Sequence, residues 1–345
     1  MRLRMNGAAP REDRRLGCSL GRLAAVAALA IGWLAIALPA DAQTYPERTI
    51  SIIVPFTTGG DADLSARNLA PALQKVTGQS VVVVNRAGAS GSIGSQIVKD
   101  AKPDGYTLLL ARIGSQALLP ALQRNLSYRW DDFTFLGLLE RNPFVCAVHA
   151  DSGYRTFGDL VEAMRKAPGK LNYSTSGPGT ILNLGPQMMF DALGLGPQAA
   201  VQVVYKGGGD AALAVLSREV DFNCGNLTSL IGNLKGGLMR ALFTTTPERW
   251  PDIPDVPTVR ELGHPSLEAI IGWSALYGPP EMPSHLVTFW REALAKVAAD
   301  PQWIAGTERI GGMPSIMTPA DTRRFVAGQF ELYDRIGRQL GIELK

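Results

Sequence analysis

The stretch ISIIVPFTTGGDADLSARNLAPALQKV, residues 50–76, shows the pattern from which the fold can be predicted. It opens with a continuous apolar run, which predicts a buried strand. It closes with a segment that places Leu69 and Leu73 on one helical face. Gly59 and Gly60 lie between the two and predict a tight turn. A strand, a glycine turn and a helix in this order form the first half of a βαβ unit.

The same alternation continues along the chain. Further strands are predicted at 81–84, 107–111, 144–149, 171–174, 201–205, 220–224 and 239–245, with an apolar segment at 269–277. Further helices are predicted at 92–101, 157–166, 181–193, 211–216, 227–234, 284–299 and 319–340. Strands that alternate with helices predict an α/β fold with mainly parallel sheets and helices on both faces.

The pattern restarts after residue 143, which predicts two α/β lobes with a crevice between them for a ligand. The two C-terminal helices have no strand of their own, so we expect them to return to the first sheet. Residues 43–143 and 272–345 then form the first lobe, and residues 144–271 form the second.

Residues 1–42 have the order of a secretory signal peptide. Six arginines accompany an almost wholly apolar run at 23–40, and Ala40-Asp41-Ala42 supplies small residues before Gln43. We therefore predict cleavage after residue 42 and a periplasmic location. A membrane anchor is the alternative, although an apolar run of 18 residues is short for a bilayer span.

The part of the chain that remains after cleavage is electrically balanced. The whole sequence has 34 basic and 31 acidic residues, and the leader holds six arginines and three acids, so 28 of each sign remain. A balanced chain lacks the basic surface by which proteins bind nucleic acid. Two cysteines remain, Cys146 and Cys224. An oxidising compartment permits a disulfide between them, and two buried free thiols are the alternative.

The turn after the first strand is the first candidate binding segment. Its glycines permit close backbone approach, and the helix that follows exposes unpaired N–H groups and the positive end of its dipole. Such a turn favours an anion. The alternative is an ordinary turn in which Asp61, Asp63 or Ser65 caps the helix.

A second candidate segment, STSGPGT at 174–180, also lies between a strand and a helix. Its hydroxyl groups and glycine N–H groups suit a carboxylate without a fixed cation. A polar turn without a ligand is the alternative interpretation. One such turn in each lobe is more specific than either turn alone.

A third segment, residues 205–212, contains Gly207, Gly209 and Ala212 in the pattern G-x-G-x-x-A. That pattern also occurs in dinucleotide-binding proteins. An exported protein meets little NAD, so we interpret the segment as a third turn that faces the ligand.

Signatures of catalysis are scarce in this sequence. The three histidines, His149, His264 and His285, lack metal-ligand spacing, and neither G-x-S-x-G nor G-x-x-x-x-G-K-[ST] occurs. We therefore predict a protein that is not an enzyme and that uses no metal and no cofactor.

Six motifs along the chain resemble those of one known family. They are VPFTTGGDADLSAR (54–67), VVVVNRAGASGSIG (81–94), KPDGYTLLLA (102–111), LNYSTSGPGT (171–180), VVYKGGGDAAL (203–213) and PDIPDVPTVRELG (251–263). In this order they resemble the Bug family, the extracytoplasmic receptors of tripartite tricarboxylate transporters, over residues 45–341.

The resemblance implies a two-lobed periplasmic-binding-protein fold, type II-like, without catalytic activity. It implies a small carboxylate ligand, and it implies that the first two turns hold a ligand carboxylate. The candidate ligand-binding residues are Phe56, Thr57, Thr58, Gly59, Gly60 and Asp63 at the first turn, Ser174, Ser176, Gly177, Gly179, Thr180 and Asn183 at the second, Lys206, Gly207, Gly208 and Asp210 at the third, together with Arg112 and Asn226.

Several positions differ from the usual pattern of that family. Thr57 and Thr58 stand where proline-rich residues are common, Val84 where glutamate is usual, and Asn183 where many relatives have histidine. Arg112 stands where small or polar residues are usual. These differences bear on which ligand is bound more than on the fold.

The most specific prediction for a single residue concerns Arg112. At the carboxyl end of a strand it would face the crevice, where a guanidinium can hold a second carboxylate in bidentate fashion. The alternative is that Arg112 pairs with a nearby acid or reaches solvent.

The predicted function is capture of a small carboxylate-bearing solute by hinge closure, with delivery to membrane permease subunits of a tripartite transporter. We expect a monomer that does not bind nucleic acid. Two alternatives stay open: a receptor that passes its closed state to a signalling system, and, less favoured, an enzyme on the same scaffold.

Overall fold

The computed structural model describes residues 45–344. The predicted signal peptide, residues 1–42, lies outside the described residues. The strands are β1 (Ile50–Val54), β2 (Val81–Asn85), β3 (Thr107–Arg112), β4 (Thr134–His149), β5 (Leu171–Thr175), β6 (Ala200–Val204), β7 (Phe222–Asn226), β8 (Met239–Thr244), β9 (Ile271–Gly278) and β10 (Met313–Pro314). The helices are α1 (Asp61–Thr77), α2 (Ser92–Lys99), α3 (Leu119–Leu122), α4 (Phe157–Lys166), α5 (Ile181–Ala192), α6 (Gly208–Leu216), α7 (Leu227–Lys235), α8 (Ser284–Ala298), α9 (Pro301–Arg309) and α10 (Pro319–Leu340).

The strands form one path in the order β2-β1-β3-β9-β4-β7-β5-β6, with β8 and β10 also paired to β4. We call the half of this path that ends at β9 and the start of β4 the first lobe, and the half that begins at the end of β4 the second lobe. Within each lobe the βαβ units give parallel pairs, as the alternating sequence predicts: β1 with β2 and β3, and β5 with β6 and β7. The pairs that involve β4 and β9 are antiparallel, so the sheet is mixed where the lobes join.

Strand β4 passes from one lobe to the other without a break. Its residues 134–143 pair with β9, and its residues 144–148 pair with β7. The sequence predicts only the second half of this strand, at 144–149. The first half is not predicted because residues 140–143 (Glu-Arg-Asn-Pro) interrupt the apolar pattern. In the structure two of these polar residues are nonetheless buried, since Glu140 is 2% exposed and Asn142 is 0% exposed.

The C-terminal helices contact elements of the first half of the strand path. Helices α8 and α10 pack against β4, and α9 packs against α1. Helix α9 is absent from the sequence-based prediction, although Asp300 caps it and Pro301 occupies its first turn. Among residues 45–344, we find no helix with both the length and the apolar character that a membrane span requires.

Cys146 and Cys224 face each other across β4 and β7 and form a disulfide. Both are fully buried in the core of the second lobe. Of the two alternatives open from the sequence, the structure therefore has the disulfide.

Reduction of this disulfide should destabilise the protein. The cysteines are 78 residues apart in sequence, and a crosslink over a loop of that length lowers the entropy of the unfolded chain enough to contribute about 4 kcal/mol. Urea unfolding with and without dithiothreitol measures the difference. The double variant C146A/C224A is the control, and an equal effect of the reductant on that variant would contradict the assignment.

Candidate functional site

The first turn, between β1 and α1, is organised by Asp63. The Asp63 carboxylate accepts a hydrogen bond from the Gly59 N–H at 3.0 Å and from the Arg67 Nε at 2.9 Å. Gly59 has φ +75°, a conformation that glycine adopts readily. Gly60 is the N-cap of α1, so none of Asp61, Asp63 and Ser65, the alternative caps considered from the sequence, occupies the N-cap position, although the Asp61 carboxylate accepts a hydrogen bond from the Ala62 N–H at 2.9 Å.

The second turn, between β5 and α5, is held by its own hydroxyl groups. Thr180 Oγ1 donates to the Gly177 carbonyl at 2.7 Å, and Ser176 Oγ donates to Thr180 Oγ1 at 3.1 Å. Gly177 and Gly179 have φ +115° and +70°. Asn183 braces the turn from behind, since its Oδ1 accepts from the Gly179 N–H at 3.2 Å. The turn is thus rigid before any ligand contacts it.

The third turn, between β6 and α6, lies directly against the first turn. A Cβ atom built on Gly209 would lie 2.7 Å from the carbonyl oxygen of Thr58, and Gly207 packs in the same way on Thr57. A second contact between the lobes is made by Ser90, whose Oγ donates to the Pro178 carbonyl at 2.7 Å. The two lobes therefore touch on both sides of the crevice.

A cavity of about 20 Å³ lies between the turns. That volume holds about one water molecule, so the lobes must move apart before a solute of several carbon atoms can enter. The cavity is lined by Phe56, Asp61, Arg112, Ile113, Gly114, Ser176, Thr180, Ile181, Leu182, Gly208 and Asn226.

Four helices begin at this cavity. The N-caps of α1, α5, α6 and α7 are Gly60, Thr180, Gly207 and Asn226, and none of these residues has a side chain that accepts a capping hydrogen bond from its helix. The first N–H groups of a helix have no partner within the helix, and its dipole places partial positive charge at the same end. The Asp61 carboxylate lies beside the N-termini of α1, α6 and α7, so the N-terminus of α5 is the one that remains suited to an anion that accepts backbone hydrogen bonds.

The structure brings six of the predicted site residues to the cavity wall: Phe56, Arg112, Ser176, Thr180, Gly208 and Asn226. A second group shapes the turns without lining the cavity: Thr57, Thr58, Gly59, Gly60, Asp63, Gly177, Gly179, Asn183 and Gly207. Ser174 is also behind the surface, where its Oγ donates to the Ala211 carbonyl at 2.7 Å. Lys206 is exposed and Asp210 is half-buried, and neither lines the cavity.

Arg112 lies at the end of β3, where the sequence places it, and is only 2% exposed. Its Nη2 donates to the Asp61 carboxylate in a buried ion pair, and its Nη1 donates to Ser274 and, at 3.1 Å, to the Asn142 Oδ1. Pairing with an acid is the alternative that the sequence left open for this residue. Its partner, Asp61, is not among the site residues predicted from the sequence. An aspartate at the start of a helix indicates a capping residue, so its local sequence gave no sign of this pairing.

A buried polar cluster lies beneath this ion pair and joins the two lobes. It consists of Ser65, Glu140, Asn142, Thr228 and Ser274. The Glu140 carboxylate accepts hydrogen bonds from Ser65 and, at 3.0 Å, from Ser274, while Asn142 donates to Thr228 at 2.9 Å. The interruption of the β4 pattern by Glu140 and Asn142 is the only sequence signal that points to this cluster.

A wider groove of about 770 Å³ lies elsewhere, between β8 and residues 252–257 of the second lobe. None of the three turns lines it. Its charged side chains include Arg155 and Arg240 and the acids Asp252 and Asp255.

Comparison with known proteins agrees with this geometry. Residues 65–342 match the family described as the tripartite tricarboxylate transporter family receptor. The chain belongs to this family. BugT of Bordetella pertussis is 30% identical over 330 residues, which are 95% of this chain and 100% of that protein. The resemblance to the Bug family is thereby confirmed, and the family consists of periplasmic solute-binding receptors.

Solved structures of similar proteins share the two-lobed fold. The periplasmic binding protein BugD is 29% identical with a TM-score of 0.82, and the match covers 87% of this chain and all of that one. A Rhodopseudomonas palustris protein solved with adipate is 28% identical with a TM-score of 0.82, covering 87% and 99%. MatC from the same organism, solved with malate, is 25% identical with a TM-score of 0.79, covering 85% and 99%.

Replacement of Asp63 by asparagine should destabilise the first turn. Burial raises the pKa of the Asp63 carboxyl, but hydrogen bonds from Arg67 and the Gly59 N–H outweigh that effect and leave the pKa below its ordinary value. The charged form is therefore favoured in the folded state, and it contributes stability above pH of about 4 that is lost as the pH falls through the lowered pKa. At pH 7 we expect Asp63→Asn to cost about 1.5 to 3 kcal/mol.

Urea unfolding of the wild type and of Asp63→Asn at pH 7 and near pH 3 measures this difference. The gap between the two proteins should shrink at the lower pH. Asp255→Asn, which alters an exposed carboxylate away from the turns, is the control and should change the free energy of unfolding by less than about 0.5 kcal/mol. A gap that does not change with pH would contradict the role given to the Asp63 charge.

Proposed function

We propose that this protein captures a small carboxylate-bearing solute between its lobes by hinge closure and presents it to the membrane permease subunits of a tripartite transporter. The observation that carries the proposal is the N-terminus of α5, which opens on a cavity lined by residues of both lobes. The relatives solved with malate and with adipate bind carboxylates and support the same ligand class.

The ligand carboxylate would lie at the second turn, where backbone N–H groups of α5 would donate to it. Such donors are fixed by the turns before binding, so little conformational entropy is lost when the ligand arrives. Burial of the carboxylate strengthens each of these hydrogen bonds, because the local dielectric is low.

Closure would turn about the two strands that join the lobes. Strand β4 is continuous across the junction, and β9 runs beside it up to Ile271. On this proposal the first lobe comprises 43–143 and 272–345 and the second comprises 144–271. A ligand that contacts both lobes favours the closed state by its differential affinity for that state.

The proposal includes a route to the periplasm and a set of partners. The leader at 1–42 would direct export and be removed, and the mature chain would act as a monomer. Its closed state would present a surface composed of both lobes to the permease. No bond is broken in this cycle, and the proposed receptor needs no cofactor.

Matched acids and amides test the ligand class. We expect residues 43–345 to be stabilised by at least one carboxylate in a panel of mono-, di- and tricarboxylates and aromatic acids, and not by the corresponding amide. Ligand at about 100 times its dissociation constant adds roughly 2.7 kcal/mol, which raises the melting temperature by several degrees. Equal stabilisation by an acid and its neutral amide would contradict the proposal.

Gly209→Ala tests closure itself. A Cβ at this position meets the backbone at Thr58 and Gly59, so the first and third turns can no longer touch as they do here. We expect the carboxylate identified in that panel to bind at least about tenfold more weakly, while the melting temperature of the free protein stays near that of the wild type. Isothermal titration calorimetry measures the change in affinity.

Gly232→Ala is the matched control for this experiment. Gly232 lies in α7, where an added Cβ meets nothing within 4 Å, so it should leave ligand affinity unchanged. Wild-type affinity in Gly209→Ala would show that contact between these turns plays no part in binding.

A further inference from the structure

The ion pair between Asp61 and Arg112 is part of the cavity wall. Of the eleven residues that line the cavity, these two carry charge. Asp61 comes from the first turn of α1 and Arg112 from the end of β3, and their side chains are 10% and 2% exposed. With the ligand carboxylate at the second turn, this pair would face the other end of the ligand, because both of its members belong to the first lobe.

Both members of the pair are fully engaged by the protein. Arg112 donates to Asp61, Ser274 and Asn142. Asp61 also accepts from the Asn226 amide, which comes from the second lobe, and from the Ala62 N–H at 2.9 Å. Because the guanidinium already has an anionic partner, it is not a free cation awaiting a second carboxylate.

A second ligand carboxylate would meet an unfavourable environment at this wall. It would lie beside the Asp61 carboxylate, and two like charges in a buried site disfavour each other's ionisation. None of the other lining residues supplies a cation to compensate. To reach Arg112, the ligand would have to displace Asp61 and leave that carboxylate buried without its partner, which is costly.

Part of the remaining wall is apolar. Phe56, Ile113, Ile181 and Leu182 all line the cavity, and all four are buried. An alkyl or other uncharged group packs against such side chains without loss of hydrogen bonds, whereas a carboxylate would lose its water there. Repulsion by Asp61 and burial against apolar side chains thus both disfavour a second ligand carboxylate at this position.

We propose that the Asp61–Arg112 pair determines specificity by making the cleft select monocarboxylates whose remaining part is uncharged and reject dicarboxylates. This inference rests on the proposed function, in which the N-terminus of α5 holds one carboxylate. It gives Arg112 a different role from the bidentate grip on a second carboxylate that the sequence suggested. The arginine neutralises Asp61, and Asp61 excludes the second negative charge.

Three probes of matched length test this selectivity by isothermal titration calorimetry at pH 7: hexanoate, the monoamide of adipate, and adipate. Their far ends are a methyl group, a neutral amide and a carboxylate. The wild type should bind hexanoate or the monoamide at least about tenfold more tightly than adipate. Asp61→Asn removes the excluding charge while it keeps a side chain of similar shape, and it should shift the preference at least about tenfold toward adipate.

Two further variants keep the test decisive. Asp61→Asn leaves Arg112 without a counter-charge, so its folding is checked by circular dichroism and a melting curve. The double variant D61N/R112Q removes both charges and should bind adipate and the monoamide within about threefold of each other, because neither attraction nor repulsion remains. Asp132→Asn removes one half of the Lys99–Asp132 ion pair elsewhere in the first lobe and should retain the wild-type preference.

The outcomes separate this inference from the proposed function. Adipate bound by the wild type as tightly as hexanoate and the monoamide would overturn the inference and leave carboxylate binding intact. The same holds if the preference is unchanged in both D61N and D61N/R112Q. Failure of these probes and of the whole carboxylate panel to bind the wild type would overturn the proposed function, and the inference with it.

Discussion

Strand β4 is the element on which the rest of the structure depends. Its backbone is paired on both sides of the junction, with β9 in the first lobe and with β7 and β8 in the second. A paired strand resists shear but can still twist, so it fixes the two lobes against one another while it allows them to turn. The disulfide between Cys146 and Cys224 adds a covalent link just beyond the junction.

The junction also holds charges that a protein interior ordinarily excludes. Arg112, Asp61 and Glu140 are all buried, and each is tolerable only because hydroxyl, amide and guanidinium groups satisfy it. The groups come from α1, β3, β4, β7 and β9, so this cluster exists only when both lobes are assembled around the junction. This buried polar cluster lies beneath the turns and holds them in register. On the inference above, the balance of its charges affects which ligands the cleft binds.

Local sequence signals located most of the elements and the three turns correctly. Hydrophobic periodicity predicted the extents of α4 and α10, and glycine pairs between a strand and a helix located the turns. These features depend on residues within a few positions of one another. The first half of β4 was not predicted because polar residues interrupt its apolar run. Helix α9 was not predicted because its capping residues follow directly after the preceding helix. The partner of Arg112 is 51 residues away in sequence, beyond the reach of any local rule.

By itself, the sequence determined that the chain forms two α/β lobes and that glycine turns precede three of its helices, because strand, turn and helix preferences are set by neighbouring residues. Only the tertiary structure decided which turns face one another, that Cys146 and Cys224 are bonded, and that Arg112 is neutralised by Asp61. Those relations depend on strand order and on the crossing of β4 between the lobes. They follow from the free energy of packing distant segments together, which no local pattern records.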